Sequence, residues 1–239
     1  MERIFDRVVR FDERSRNYPA TLGFEQAPLR SYSWNYSEPL WLDQGPDGMC
    51  VGFAWAHDLA ARPVTMPSSY DLARSIYLDA QKIDEWEGEA YSGTSVLAGA
   101  KTVAAMLESD PEHEMRAYRW AFGIEDVVRV IGYKGPCVLG INWLADMMDT
   151  DENGFIHASG SIQGGHAILA RNVKVVWRDK SQAHDFTNLD LEASYVTLRN
   201  SWGAEWGVSG DCKISVAELS SLLAQGGEAC VPEIAKRES

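Results

Sequence analysis

The 239-residue chain has no apolar run approaching the roughly 18 residues that a membrane-crossing helix needs. Its opening residues, Met1-Glu2-Arg3-Ile4-Phe5-Asp6-Arg7, lack the apolar stretch of a secretory signal. Basic clusters are missing too. Lys and Arg number 22 against 35 Asp and Glu, a net charge of −13. Such an excess repels phosphate backbones and anionic lipid heads, which weighs against nucleic-acid and membrane-surface binding. Cysteine is sparse and scattered: Cys50, Cys137, Cys212 and Cys230 show neither CxxC spacing nor a disulfide framework. No metal and no cofactor is expected from them, and a reducing compartment suits them best. Internal repeats and low-complexity tracts are absent as well.

What remains is an ordinary globular composition, 45% apolar and 24% charged, in a chain long enough to bury a core without staples. Residues 1–48 are rich in Pro, Ser, Tyr and Asp and read as an irregular arm with a short strand or two. Residues 50–61 are apolar-rich and stop just before Pro63, as a buried helix would. Residues 68–86 repeat Leu72, Ile76 and Leu78 near helical spacing, and a Gly-containing turn at 91–95 leads into a third helix through Leu107. A fourth helix is expected at 125–133. Strands are expected at 135–142, 165–176, 195–199 and 211–215, with 177–193 as a polar hairpin loop. Helices first and strands later make an α+β protein: an arm over 1–31, a mainly helical part over 49–120 and a strand-rich part over 121–239.

The segment Asp43-Gln44-Gly45-Pro46-Asp47-Gly48-Met49-Cys50 delivers a cysteine to the start of an apolar helix. A helix N-terminus carries partial positive charge and free N–H groups, which favour a thiolate and can donate to an oxyanion beside it. Gln44 offers a second donor. A buried cysteine is the commoner fate for this residue type, so Cys50 alone decides little. Among the five histidines, His57 lies about 10.5 Å along the helix axis from Cys50, too far to reach it. His113 and His184 sit in polar surroundings and are expected in solvent, and His157 follows a turn. His166 is different: Gly164 and Gly165 precede it and an apolar strand follows. Asn200 ends a later strand and could accept a hydrogen bond from an imidazole, within Asn200-Ser201-Trp202-Gly203-Ala204-Glu205-Trp206-Gly207. The acidic stretch 149–154 imitates the start of a calcium loop but has Gly160 where the bidentate Glu belongs, and reads as a turn.

In this order and spacing the segments resemble the papain family of cysteine peptidases. Gln44 stands six residues before Cys50, Gly165-His166-Ala167 precedes an apolar strand, and Asn200-Ser201-Trp202-Gly203 is followed by Trp206-Gly207. The resemblance implies a two-lobe fold with its cleft between a helical and a β-barrel-like lobe. In it Cys50 is nucleophile, His166 base and Asn200 its orienter, with Gln44 and the Cys50 N–H as oxyanion hole. It further implies substrate contacts at Gly93, Gly165, Trp202, Trp206 and Gly140, the last leaving a roomy pocket for the side chain before the scissile residue. The partner would be a polypeptide bound extended in the cleft. Asp47 and Val51 replace the family's frequent cysteine and tryptophan, and CVGFA looks like bacterial or viral relatives. With 49 residues before Cys50, the expectation is a cytoplasmic or virus-encoded enzyme without a long inhibitory segment. It would be active as made or controlled by location or partner. The competing readings are an idle papain-like fold used for binding, and an amide hydrolase or transferase acting on a non-protein substrate such as cell-wall peptide.

Overall fold

The computed structural model describes residues 3–7, 12–21, 23, 26–84, 92–182 and 185–238. After a 3-10 turn at Glu13–Asn17 the chain forms β1 (Tyr32–Ser33) and then α1 (Cys50–Ala60), all eleven of whose residues are buried. α2 (Tyr70–Ile83) starts on Ser69, whose hydroxyl accepts the Leu72 N–H, and it buries the stripe Ala73, Ile76, Tyr77 and Ala80. α3 (Val96–Glu108) is capped by Ser95 in the same way. There follow β2 (His113–Trp120), α4 (Ile124–Tyr133), β3 (Cys137–Leu144), β4 (Ile162–Lys174), β5 (Tyr195–Arg199), β6 (Asp211–Ser215), α5 (Val216–Ala224) and β7 (Glu228–Lys236). The expected helices and strands are present, with ends shifted by a few residues. His184, Tyr91 and the end of the expected 68–86 helix lie outside the described residues.

Three elements were not expected, and each has a physical reason. β2 carries Glu114, Arg116 and Arg119 and is only half buried, so its alternation is blurred. It also falls within 49–120, where helices were expected. β7 contains Pro232, which reads as a strand breaker. Beyond Cys230, however, β7 pairs with β2 alone, and an edge tolerates a residue without an N–H. α5 is started by a reciprocal cap: Ser215 accepts the Glu218 N–H and its hydroxyl donates to the Glu218 carboxylate.

The strands form one antiparallel sheet in the order β2-β7-β3-β4-β5-β6, with β1 added against β4. Side chains alternate across it, and that alternation separates two cores. Leu139, Ile141, Ile168 and Ala170 face one core with α4 and α5, which also holds Trp143, Leu198 and Ile214. Val138, Ala167, Leu169 and Cys230 face the other, built on α1, α2 and α3. Cys50 belongs to this second core, and His166, on β4, packs against Trp143 and Trp202 of the first. Among the described residues no helix is long and apolar enough to cross a membrane.

Candidate active site

Each part of the site is held by the backbone before any side chain acts. The loop carrying Gln44 is tied to the Asn200 segment by Gln44 N–H donating to Ser201 O (2.9 Å) and Gly203 N–H donating to Leu42 O (3.1 Å). Asn200 is fixed in turn by its N–H to Gly210 O, 3.0 Å. Cys50 opens α1 after Met49, which supplies no side-chain cap, so the first N–H groups of the helix are not taken by one. The backbone N–H groups of Ala167, the residue after His166, and of Val51 both favour the thiolate form of Cys50. α1, which Cys50 opens, packs against β4, the strand that carries His166.

The His166–Asn200 pair has a defined direction. Asn200 Oδ1 accepts the Ser201 N–H at 2.8 Å, and an N–H can only donate, so the amide orientation is set. The 2.9 Å contact of His166 Nε2 to the same oxygen must then be an Nε2–H donor. In the neutral ring this leaves Nδ1 with its lone pair, and Nδ1 is buried without a hydrogen-bond partner. A ring nitrogen with a free lone pair is what a general base requires. Gln44 Nε2 donates one N–H to Asp47 O at 2.7 Å, leaving the second N–H of the amide for another acceptor.

Aromatic rings wall the base. Trp143 lies 4.8 Å from the His166 ring and Trp202 5.4 Å, while Trp206 packs edge-on against Trp202 at 5.0 Å. Trp202 is buried, and Trp206 is pinned by its Nε1–H to Met148 O, 2.8 Å. Trp143 was not anticipated. It sits in an apolar strand like any core residue, and only the register Trp143↔Gly164 brings it to the histidine.

The cleft is occupied by the chain itself. Residues 3–7 run through it: Arg3 bonds to Asp43 (2.6 Å) and Gly45 O, Phe5 stacks edge-on against His166 (5.6 Å), and Arg7 N–H donates to Gly165 O (2.9 Å). Asp6 contacts the Ser92 hydroxyl, and its carbonyl lies against Gly93 where a Cβ would stand. Arg7 passes over Gly140 to Glu228. The structure thus brings Cys50, His166, Asn200, Gln44, Gly93, Gly165, Gly140 and Trp202 to one cleft, with Trp206 behind Trp202. The sequence implies no long inhibitory segment and leaves open whether residues 1–30 partly cover the cleft; residues 3–7 do lie in it, in the room left by the glycines at 93, 140 and 164. Residues 3–7 carry no motif, and nothing in their composition marks them for the site.

Burial sets the electrostatics. It pushes the Cys50 thiol up to about 11, against the opposing Ala167 hydrogen bond and the Arg7 charge. It pushes His166 down to about 4, partly offset by Asn200 and reinforced by Arg3 and Arg7. With residues 3–7 in place the pair is neutral thiol and neutral imidazole. The other histidines stand apart. His57 is fully buried and held down to about 3, its Nδ1 3.3 Å from the Tyr36 hydroxyl. His157 is exposed near Asp151 and Glu218. His113, expected in solvent, is buried at the start of β2 with Asp110 beside it. The 149–154 stretch is a turn in which Asp151 accepts the Asn153 and Phe155 N–H groups.

No family model matches the chain, and no curated relative does. Solved structures do. Xylellain, a cysteine protease from Xylella fastidiosa, superposes with a TM-score of 0.66 at 16% identity, covering 96% of this chain and 95% of that one. The chain has a papain-like fold. Procathepsin B S9 from Trypanosoma congolense covers 98% of it and 83% of that chain, with a TM-score of 0.61 and 13% identity. Bromelain protease from Ananas comosus, in complex with the E64 inhibitor, covers 84% of this papain-like chain and 97% of its own, with a TM-score of 0.57 and 15% identity. The pro-form superposes on more of this chain than the bromelain protease does.

Proposed function

We propose that the chain is a cysteine peptidase that hydrolyses peptide bonds through an acyl-enzyme on Cys50. The observation that carries this reading is the fixed Nε2–H···Asn200 bond, which leaves His166 Nδ1 unpartnered on the strand whose next residue, Ala167, turns its N–H to the Cys50 thiol. Nδ1 takes the thiol proton and the sulfur attacks the substrate carbonyl carbon. The Gln44 amide and the Cys50 N–H receive the resulting oxyanion. The imidazolium then protonates the leaving amine, and the C–N bond breaks. Water, deprotonated at Nδ1, attacks the thioester; the acid leaves and the thiol is restored. Trp143 and Trp202 keep water from the His166–Asn200 bond, and Trp206 borders the leaving-group side. An extended substrate backbone would lie where residues 3–7 now run, against Gly93 and Gly165. The four cysteines are free and buried, which suits a reducing compartment.

One observation favours the idle-fold reading: Cys50 and His166 are both neutral in this state. Both shifts come first from burial, and residues 3–7 add to that burial and to the charge. Re-solvating the cleft moves both groups back toward the ion pair. The test is an epoxysuccinyl inhibitor applied to wild type and His166→Ala and followed by mass spectrometry. Modification at Cys50 alone, sharply slowed in the variant, is the expected result. Equal rates, or no modification of folded protein even after Phe5→Ala loosens the cleft, would replace this reading with a binding module.

A further inference from the structure

A recess of about 240 Å³ opens where α1 ends, and no residue of the cleft lines it. Pro63, Val64, Pro136, Pro232 and Ile234 give it apolar walls, and Arg116 and Lys134 stand at its mouth. At the inner end is Asp58, 1% exposed, the one acidic residue in a helix whose residues are all buried. It follows Cys50 by eight positions, about 12 Å along the helix axis.

The charges at the mouth are matched within the chain, Arg116 to Glu114 at 2.7 Å and Lys134 to Glu233 at 3.8 Å. Asp58 is not. Neither of its oxygens has a hydrogen-bond partner, and among the described residues no cation opposes the effect of burial on it. Tyr36, Cys137 on β3 and Cys230 on β7 feel its charge, but burial keeps all three protonated. Neighbouring His57 is held neutral. A buried carboxyl without partners costs stability. An unmatched acid at the end of an apolar recess is what a basic ligand with an apolar body would complete.

We propose that this recess binds a short primary alkylamine, its nitrogen at Asp58 and its chain along the prolines. The empty site holds a neutral acid, because burial disfavours the carboxylate. A neutral amine can therefore enter without carrying charge past the apolar walls. Its lone pair takes the carboxyl proton, and the resulting ammonium donates N–H bonds to both carboxylate oxygens. A guanidinium cannot arrive neutral, which selects amines over arginine-like ligands. The recess is smaller than the roughly 300–1,000 Å³ of pockets for drug-sized ligands, so the chain is short. Nothing in the proposed peptidase chemistry uses this recess, and the site stands whether or not Cys50 reacts.

The experiment titrates n-butylamine into the full chain by calorimetry at pH 6 and pH 8, in buffers of different ionisation enthalpy. In solution the amine is an ammonium at both values, so its binding at pH 6 must expel the Asp58 proton. About one proton should leave per amine at pH 6 and about half of one at pH 8, with binding about 50-fold tighter at pH 8. Asp58→Asn keeps the shape and removes the acid, so proton release and the pH dependence should vanish and the affinity should collapse. n-Butanol carries the same chain without the amine, and should bind weakly at both values. No saturable binding, equal affinity in Asp58→Asn, or binding without proton release would overturn the site and leave Asp58 an acid satisfied by trapped water. Butanol binding as tightly as the amine at pH 8 would do the same. Should Asp58→Asn fail to fold, the wild-type proton count and the contrast with n-butanol decide the same question.

Discussion

The two walls of the cleft are built by different means. The wall carrying Cys50 is local: α1, α2 and α3 lie within residues 50–108 and pack a buried helix between amphipathic neighbours. The wall carrying His166 and Asn200 is assembled from distant segments, in which β3, β4 and β5 must find one register before Trp143, His166 and Asn200 meet. The helical wall offers N–H groups that need only a helix end. The sheet wall offers a base whose tautomer depends on a bond spanning 34 residues. In the proposed chemistry one wall supplies a field and the other a proton acceptor, and residues 3–7 bridge them through Gly93 on one side and Gly165 on the other.

The largest effect should come from breaking the sheet wall at its base. His166→Ala is expected to slow alkylation of Cys50, and any peptide hydrolysis, by about 10²–10⁴-fold, measured as labelling and turnover rates against pH. The helical wall is broken most sharply at Phe53, fully buried in α1 and stacked edge-on against Tyr70. Phe53→Ala should cost about 3–5 kcal/mol in urea unfolding. The His166–Asn200 bond, carried by the other core, should persist until global unfolding.

A third test sharpens the comparison inside α1 itself. Asp58 is fully buried with both carboxylate oxygens unpartnered, and burial pushes it up to about 8. Unfolded, this group loses its proton near 3.8, the ordinary value for an aspartate. Between that pH and about 8 the folded state holds the extra proton, so stability falls as pH rises through the window and levels off above it. Asp58→Asn should flatten this slope and add on the order of 3 kcal/mol at pH 6, read from urea midpoints across pH 4–9. The smallest effect belongs to Ser69→Ala, which removes the α2 cap. It should cost about 1 kcal/mol and leave Cys50 labelling unchanged, because α2 supports its wall only at a distance.

Much of this was legible in one dimension. Residues 50–60 are apolar-rich and stop ahead of Pro63, Ser69 and Ser95 sit where helix caps belong, and β5 and β6 have turn-bounded apolar alternation. Gln44, Cys50, His166 and Asn200 could be singled out because their chemistry is carried by short motifs. Residues of this site without a motif could not. Trp143 reads as a core residue, Arg7 as a surface charge and Glu228 as the polar start of a strand that Pro232 disguises.

The sequence by itself therefore determined α1 to α4, most strands and the candidate reactive residues, because periodicity, caps and motifs act within a few residues. Only the tertiary structure decided what fills the cleft. Arg7 and Glu228 are 221 residues apart, and their pairing depends on sheet register and on the space that Gly140 leaves between them. Those are properties of the packed chain, with no local trace in the order of its residues.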